Sequence, residues 1–214
     1  LAIALARNDH DVFLWDINSE LIEDIKKDKC NKRYIPDVAF PDNLIPIDSI
    51  EQAPADIKKV VNAVPCHGLR SSLQLLKTFS DIKVCLACKG FESGTQKLNH
   101  LLVEEELASV PVAILSGPSF AKEVAKGLPT AVTIAAKEIE VAQTFSDLFH
   151  SDVFRIYTHD DYIGVQVGGA VKNVMAIAAG IADGLGFGAN TRSALITRGL
   201  HEIMQLGLAM GAKQ

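Results

Sequence analysis

Six short apolar runs, at residues 12–15, 59–64, 83–87, 112–115, 131–135 and 154–157, alternate with stretches of helical periodicity, and few architectures accommodate that alternation. Each run is apolar nearly throughout, as in strands covered on both faces, rather than at every second position. The intervening segments supply the covers. Residues 19–29 present Leu21, Ile22 and Ile25 on one helical face, with Ser19 as the expected N-cap, and helical patterns recur at 69–79, about 95–106 and 138–149. Strands and helices in this order predict an α/β chain with a Rossmann-like, doubly wound parallel sheet.

The pattern changes at both ends. Residues 1–7 read as the tail of a helix already under way, followed by a turn at 8–11, and Pro36, Pro41 and Pro46 make 36–46 a loop. From about Asp161 the chain is helical and rich in Gly and Ala, and residues 193–210 are an amphipathic helix that reaches Gln214 with no partner to cover it. The predicted organisation is a dinucleotide-binding unit over 1–160 and the start of an all-α C-terminal domain over 161–214. The chain is expected to be a fragment.

Composition narrows the partners. With 21 Lys and Arg against 26 Asp and Glu, a formal net charge of -5 provides no basic field for nucleic acid or an anionic membrane. The longest apolar candidate for a membrane span, residues 163–181, is broken by Gln166, Lys172, Asn173 and several glycines, so no membrane partner is expected. Of the four cysteines, only Cys85 and Cys88 have a suggestive spacing, but residues three apart on a strand point to opposite faces, so thiols in a core strand are expected rather than a metal or redox pair. Cysteines of this kind, with no signal peptide, argue for the cytoplasm. The six histidines show no metal-ligand spacing, and no metal is expected.

In sheets of this kind ligands bind beyond the carboxyl ends of the strands, which draws attention to Asp16, to Pro65, Cys66 and His67, to Lys89 and Gly90, and to the segment Ser116-Gly-Pro-Ser-Phe120. All four groups are expected at one edge. Asp16 is placed to meet the hydroxyls of an adenosine ribose, or is a solvated turn residue. Lys89 is held at the mouth of the sheet, with Gly90 allowing close approach, or is a lone surface lysine. The segment at 116–121 ends a strand and opens a helix, so its backbone N–H groups face an anion or a cofactor amide, or merely start that helix.

Lys172 is the most informative residue. It lies within Gly168-Gly-Ala-Val-Lys-Asn-Val-Met, where an ammonium is costly unless paired, and desolvation brings an amine toward acid–base work. That points to catalysis; a stem that packs while its head reaches water is the other reading. Asn173 stands beside it, able to orient the amine.

These motifs, Leu86-Ala-Cys-Lys-Gly90, Ser116-Gly-Pro-Ser-Phe-Ala-Lys-Glu123, Gly127-Leu-Pro-Thr-Ala131, Phe154-Arg-Ile-Tyr157 and Ile163-Gly-Val-Gln-Val-Gly-Gly-Ala-Val-Lys-Asn-Val174, together closely resemble the NAD(P)-dependent sn-glycerol-3-phosphate dehydrogenases, the bacterial type above all. Ala182-Asp-Gly-Leu-Gly-Phe-Gly-Ala-Asn190 extends the likeness over nearly the whole chain. The resemblance implies hydride transfer between a nicotinamide and C2 of the substrate, interconverting dihydroxyacetone phosphate and glycerol 3-phosphate for phospholipid synthesis. It makes Lys172 the catalytic residue, places Lys89, Gly117, Ser119 and Asn173 at the substrate, and places Asp16, Ile17, Lys89 and Ala121 at the cofactor, NAD or NADP. It leaves room for a homodimer.

Two departures from the family pattern carry consequences. Its glycine-rich phosphate loop would precede Leu1, and its catalytic-site Asp and phosphate-gripping Arg-Asn pair would follow Gln214, so the chain alone is not expected to turn over substrate. Where relatives commonly have Gly followed by Arg or His, this chain has Asp16 and Ile17; an acid without a cation disfavours a 2′-phosphate and favours NAD. The alternatives are a 6-phosphogluconate or hydroxyacid dehydrogenase of the same architecture, which the 116–121 and 182–190 segments argue against, and a non-catalytic dinucleotide-binding module. The latter would have no use for a desolvated amine.

Overall fold

The computed structural model describes residues 1–213; Gln214, the far end of the expected helical segment, lies outside them. The element order is α1 (Ala2–Arg7), β1 (Val12–Leu14), α2 (Ser19–Asp28), β2 (Leu44–Pro46), β3 (Lys59–Asn62), α3 (Leu69–Leu75), β4 (Lys83–Leu86), α4 (Asn99–Leu107), β5 (Val112–Ser116), α5 (Ala121–Lys126), β6 (Thr130–Ala136), α6 (Ile139–Phe149), β7 (Phe154–His159), α7 (Tyr162–Gly184) and α8 (Ala189–Ala209). Strands β3 to β7 form one sheet in that order, and β1 and β2 form a separate parallel pair. A sheet with helices on both faces, followed by helices alone, is the expected Rossmann-like α/β arrangement.

The sheet is covered twice because its strands alternate between two cores. On β4, Val84 and Leu86 join Leu69, Leu73, Leu102 and Val103 of α3 and α4 on one face. Cys85, between them, faces the other core, with Leu115, Ile134, Phe145 and Phe149. Ile114 and its neighbours Ala113 and Leu115 divide the same way on β5. A one-residue slip of either strand would exchange the two sets.

Four expectations are corrected. The sheet is mixed, since β6 runs antiparallel to β5, with Ile114 opposite Ala135 and Ser116 opposite Thr133. The only helix between them, α5, has 6 residues, about 9 Å at 1.5 Å each. It and the turns on either side keep the chain beside the carboxyl end of β5, so β6 starts near where β5 stops. Residues 44–46 are a strand despite Pro46, which pairs with Leu14 at the strand's last position, where a missing N–H costs least. The N-cap of α2 is Asn18, whose side chain accepts from the Leu21 N–H, and Ser19 is the first helical residue. Finally, α7 is 23 residues long and its most apolar window has a mean hydropathy of 1.4, enough by length and composition to cross a membrane. It packs on β5, β6 and α8 and is buried near its start at Gln166 and Val167, while only 17% of the apolar window is buried.

Candidate active site

Three of the four predicted strand ends meet. Strands β3, β4 and β5 are parallel, so their carboxyl ends share one edge. There the Lys89 ammonium donates to the Gly117 carbonyl at 3.0 Å, tying the end of β4 to the turn after β5. Gly90, with φ +124°, lies against Cys66 beyond β3; a Cβ on it would sit 3.6 Å from the Cys66 Cβ. Gly117, at φ +151°, has a steric reason to be glycine, because a Cβ would come within 2.9 Å of the Val132 Cα on neighbouring β6. Asp16 and Ile17, beyond β1 in the other sheet, are exposed, and no side-chain hydrogen bond or ion pair joins them to this cluster among the described residues. One Asp16 oxygen accepts from the Asn18 N–H at 2.8 Å.

Helix α7 supplies the rest. Asp161 caps it, accepting from the Gly164 N–H at 2.9 Å. At Gly169 the helix crosses the strand ends so closely that a Cβ would lie 2.8 Å from the Ser116 Oγ and 3.7 Å from the Lys89 Cγ. Lys172 follows nearly one turn later. Its Nζ stands 5.8 Å from the centre of the Phe120 ring, within cation–π range. The expected desolvated setting is not present in this chain: Lys172 and Asn173 are both exposed, since the apolar residues around them on α7 are largely exposed as well. Ser119 is half-buried, and Ala121 is exposed as the first residue of α5, a helix that Phe120 opens without a side-chain cap.

The electrostatics are those of an anion site. Partial burial, and then the nearby Lys172 charge, lower the Lys89 pKa below the usual lysine value. Among the described residues neither ammonium has a carboxylate within ion-pair distance, leaving a backbone carbonyl and an aromatic face as their neighbours. Two such cations can receive a phosphate or the developing charge on an oxygen. His67, exposed in the short 3-10 turn after β3, makes no side-chain hydrogen bond among the described residues. Burial raises the Cys88 pKa to about 12 and that of Cys85 as well, so neither is a ready thiolate. Among the described residues no group of three or more His, Cys, Asp or Glu is placed to hold a metal.

Sequence reasoning placed Ser116 and Phe120 in the strand-end segment but gave their side chains no role, and gave none to Gly169. The adjacent glycines at 168 and 169, nearly one turn before a lysine, signal a close crossing; the exposure of Phe120 has no such signal.

A Rossmann-like sheet whose carboxyl edge meets a lysine-bearing helix is the architecture of a nicotinamide-dinucleotide-dependent dehydrogenase. The chain belongs, more narrowly, to the NAD-dependent glycerol-3-phosphate dehydrogenase family: the model of that family's N-terminus matches residues 1–142 and the model of its C-terminus residues 161–214. It is 51% identical over 217 aligned positions to a glycerol-3-phosphate dehydrogenase [NAD(P)+] of Bartonella henselae, covering 100% of this chain and 64% of that protein. A Nitrosococcus oceani protein of the same name is also 51% identical, with 63% of its length covered. The solved structure of glycerol-3-phosphate dehydrogenase from Coxiella burnetii superposes with a TM-score of 0.94 at 37% identity, covering 100% of this chain and 66% of that one. The chain thus spans about two thirds of the length of these relatives.

Proposed function

We propose that the protein is an NAD(P)-dependent dehydrogenase that interconverts dihydroxyacetone phosphate and sn-glycerol 3-phosphate. The observation that carries this reading is the meeting of Lys89 and Lys172, from β4 and α7, where Gly117 and Gly169 bring backbones together. In the reducing direction the Lys172 ammonium gives a proton to the carbonyl oxygen as negative charge builds there, and in the other direction it takes the C2 hydroxyl proton. Lys89 binds substrate beside the cofactor; Gly117, Ser119 and Asn173 complete the substrate contacts.

The residues present suit a dinucleotide: Asp16 has one carboxylate oxygen engaged by Asn18 and the other available to a ribose hydroxyl. Asp16, Ile17, Lys89 and Ala121 would hold the cofactor, which when bound supplies or accepts the hydride at its nicotinamide C4. An acid with no companion cation repels a 2′-phosphate, so NAD is preferred over NADP. In this reading residues 1–160 hold the cofactor and 161–214 begin the substrate domain. The enzyme is cytoplasmic, has neither nucleic-acid nor membrane partner, admits a homodimer, and supplies glycerol 3-phosphate for phospholipid synthesis; its four free thiols suit a reducing compartment.

The test is the oxidation of NADH and, separately, NADPH with dihydroxyacetone phosphate, by the chain extended to full family length. Oxidation that requires this substrate and favours NADH is expected. Inertness with both cofactors, or equal rates with 6-phosphogluconate-type or hydroxyacid substrates, would contradict the reading.

A further inference from the structure

The catalytic role proposed for Lys172 leaves a buried polar group on the same helix without a purpose. Gln166 is 6% exposed and sits between α4 and the first turns of α7. Its Oε1 accepts from the His100 backbone N–H at 3.1 Å, and its Nε2 donates to the Tyr162 carbonyl at 2.9 Å. The His100 Nδ1 lies 3.0 Å from the same Gln166 Nε2 and 3.3 Å from Oε1, so a neutral imidazole accepts from the carboxamide in its own Nε2–H tautomer and donates to Oε1 in the other. His100 is itself 5% exposed, and burial lowers its pKa, favouring that neutral form. The Tyr162 ring closes the cluster, edge-on to His100 at 4.9 Å and 84°.

A core of this kind would be filled at least as well by leucine, so a fully satisfied polar cluster in it specifies geometry more than it stabilises. The geometry it specifies is the seat of α7. The carboxamide is held to His100 of α4 at both its backbone N–H and its ring, while its bond to the Tyr162 carbonyl lies within α7, so the helix can neither rotate nor slide at Gln166 without breaking a bond to α4. Lys172 is six residues further, about 9 Å along the axis, and Gly169 between them makes the close crossing at Ser116.

We propose that Gln166 is a positioning residue for Lys172, its carboxamide locking α7 to α4 at His100 so that the Lys172 ammonium is presented to the strand-end site. This rests on the proposed role of Lys172 and is tested by a double-mutant cycle in the chain extended to full family length. The variants are Gln166→Leu, Lys172→Ala and their combination, each checked for folding by circular dichroism and for NADH binding by fluorescence. A residue that acts through Lys172 matters only while Lys172 is present. Gln166→Leu is expected to lower kcat roughly 10- to 100-fold beside Lys172, a misplacement effect, with NADH affinity unchanged, and to change the residual rate of Lys172→Ala by less than about twofold. Equal losses in both backgrounds, or no loss beside Lys172, would overturn the proposal. Should Gln166→Leu leave His100 unsatisfied and fail to fold, the cycle is run with His100→Leu/Gln166→Leu, which removes both polar partners and is expected to fold and remain slow. If Lys172→Ala alone keeps the wild-type rate, it is the reading of Lys172 that has failed.

Discussion

Gly169 of α7 and Ser116 at the end of β5 are so close that a single added methyl group would stand 2.8 Å from the serine hydroxyl oxygen. The contact fixes how deeply the lysine-bearing helix sits on the sheet. Gly169→Ala therefore pushes α7 outward or forces the Ser116 side chain to turn. A loss of about 1–3 kcal/mol in stability is expected from overpacking, measured by urea unfolding, along with a fall in kcat/KM. Adding Ser116→Ala should restore part of the stability; an unaffected Gly169→Ala variant would show that α7 and β5 have room to spare.

Lys89 and Lys172 repel one another, and that repulsion is the second cause, after burial, of the lowered Lys89 pKa. A lysine whose pKa is lower in the folded chain holds fewer protons there than in the unfolded chain, so its contribution to stability rises as pH climbs through the folded pKa toward the unfolded one. The direct measurement is the pH dependence of Lys89 modification by an amine reagent, read by mass spectrometry. Lys89 should react at lower pH than the other exposed lysines, and Lys172→Ala should move its profile upward. An unmoved profile would mean that the two charges do not sense each other.

Arg70 organises a second charged cluster, joining α3 to α4 and to Glu92. It donates to Glu92 through Nε at 2.7 Å and Nη2 at 2.9 Å, and to Glu106 through Nη1 at 2.7 Å, while Glu105 accepts from Nη2 at 2.8 Å. These bonds hold Glu92 and Glu106 down to about 2. Depressed carboxylates contribute above their unfolded pKa and lose that contribution as pH falls through the folded value. The stability difference between wild type and Arg70→Met should therefore be constant near neutrality and shrink between about pH 4.5 and pH 2. A difference independent of pH over that window would contradict the ionic account.

The parts of the fold that were legible in the sequence are those where one local signal decides. The runs at 83–87 and 112–115 are apolar throughout because Val84 and Cys85, or Ala113 and Ile114, face different cores, so two-sided burial could be read directly. The direction of β6 could not, since the segment between β5 and β6 is long enough to serve either direction and helix boundaries are poorly marked by sequence. Strand β2 was hidden because proline argues against a strand except at an end or an edge. At the candidate site, strand-end position singled out Lys89 and the 116–121 segment, and an ammonium in an apolar helix singled out Lys172, although the desolvation expected of it is not present. What surrounds Lys172 is tertiary: its exposure, and the Phe120 ring beneath it, follow from where α7 lies on the sheet rather than from its own residues.

The central claim is that Lys172 carries the proton for hydride transfer, and it is tested most directly by steady-state oxidation of NADH with dihydroxyacetone phosphate by wild type and Lys172→Ala, both extended to full family length and matched for folding and NADH affinity. The account predicts a fall in kcat of about 10²–10⁴-fold, the scale of a lost general acid–base group. A folded, cofactor-binding Lys172→Ala enzyme that turns over at the wild-type rate would contradict it.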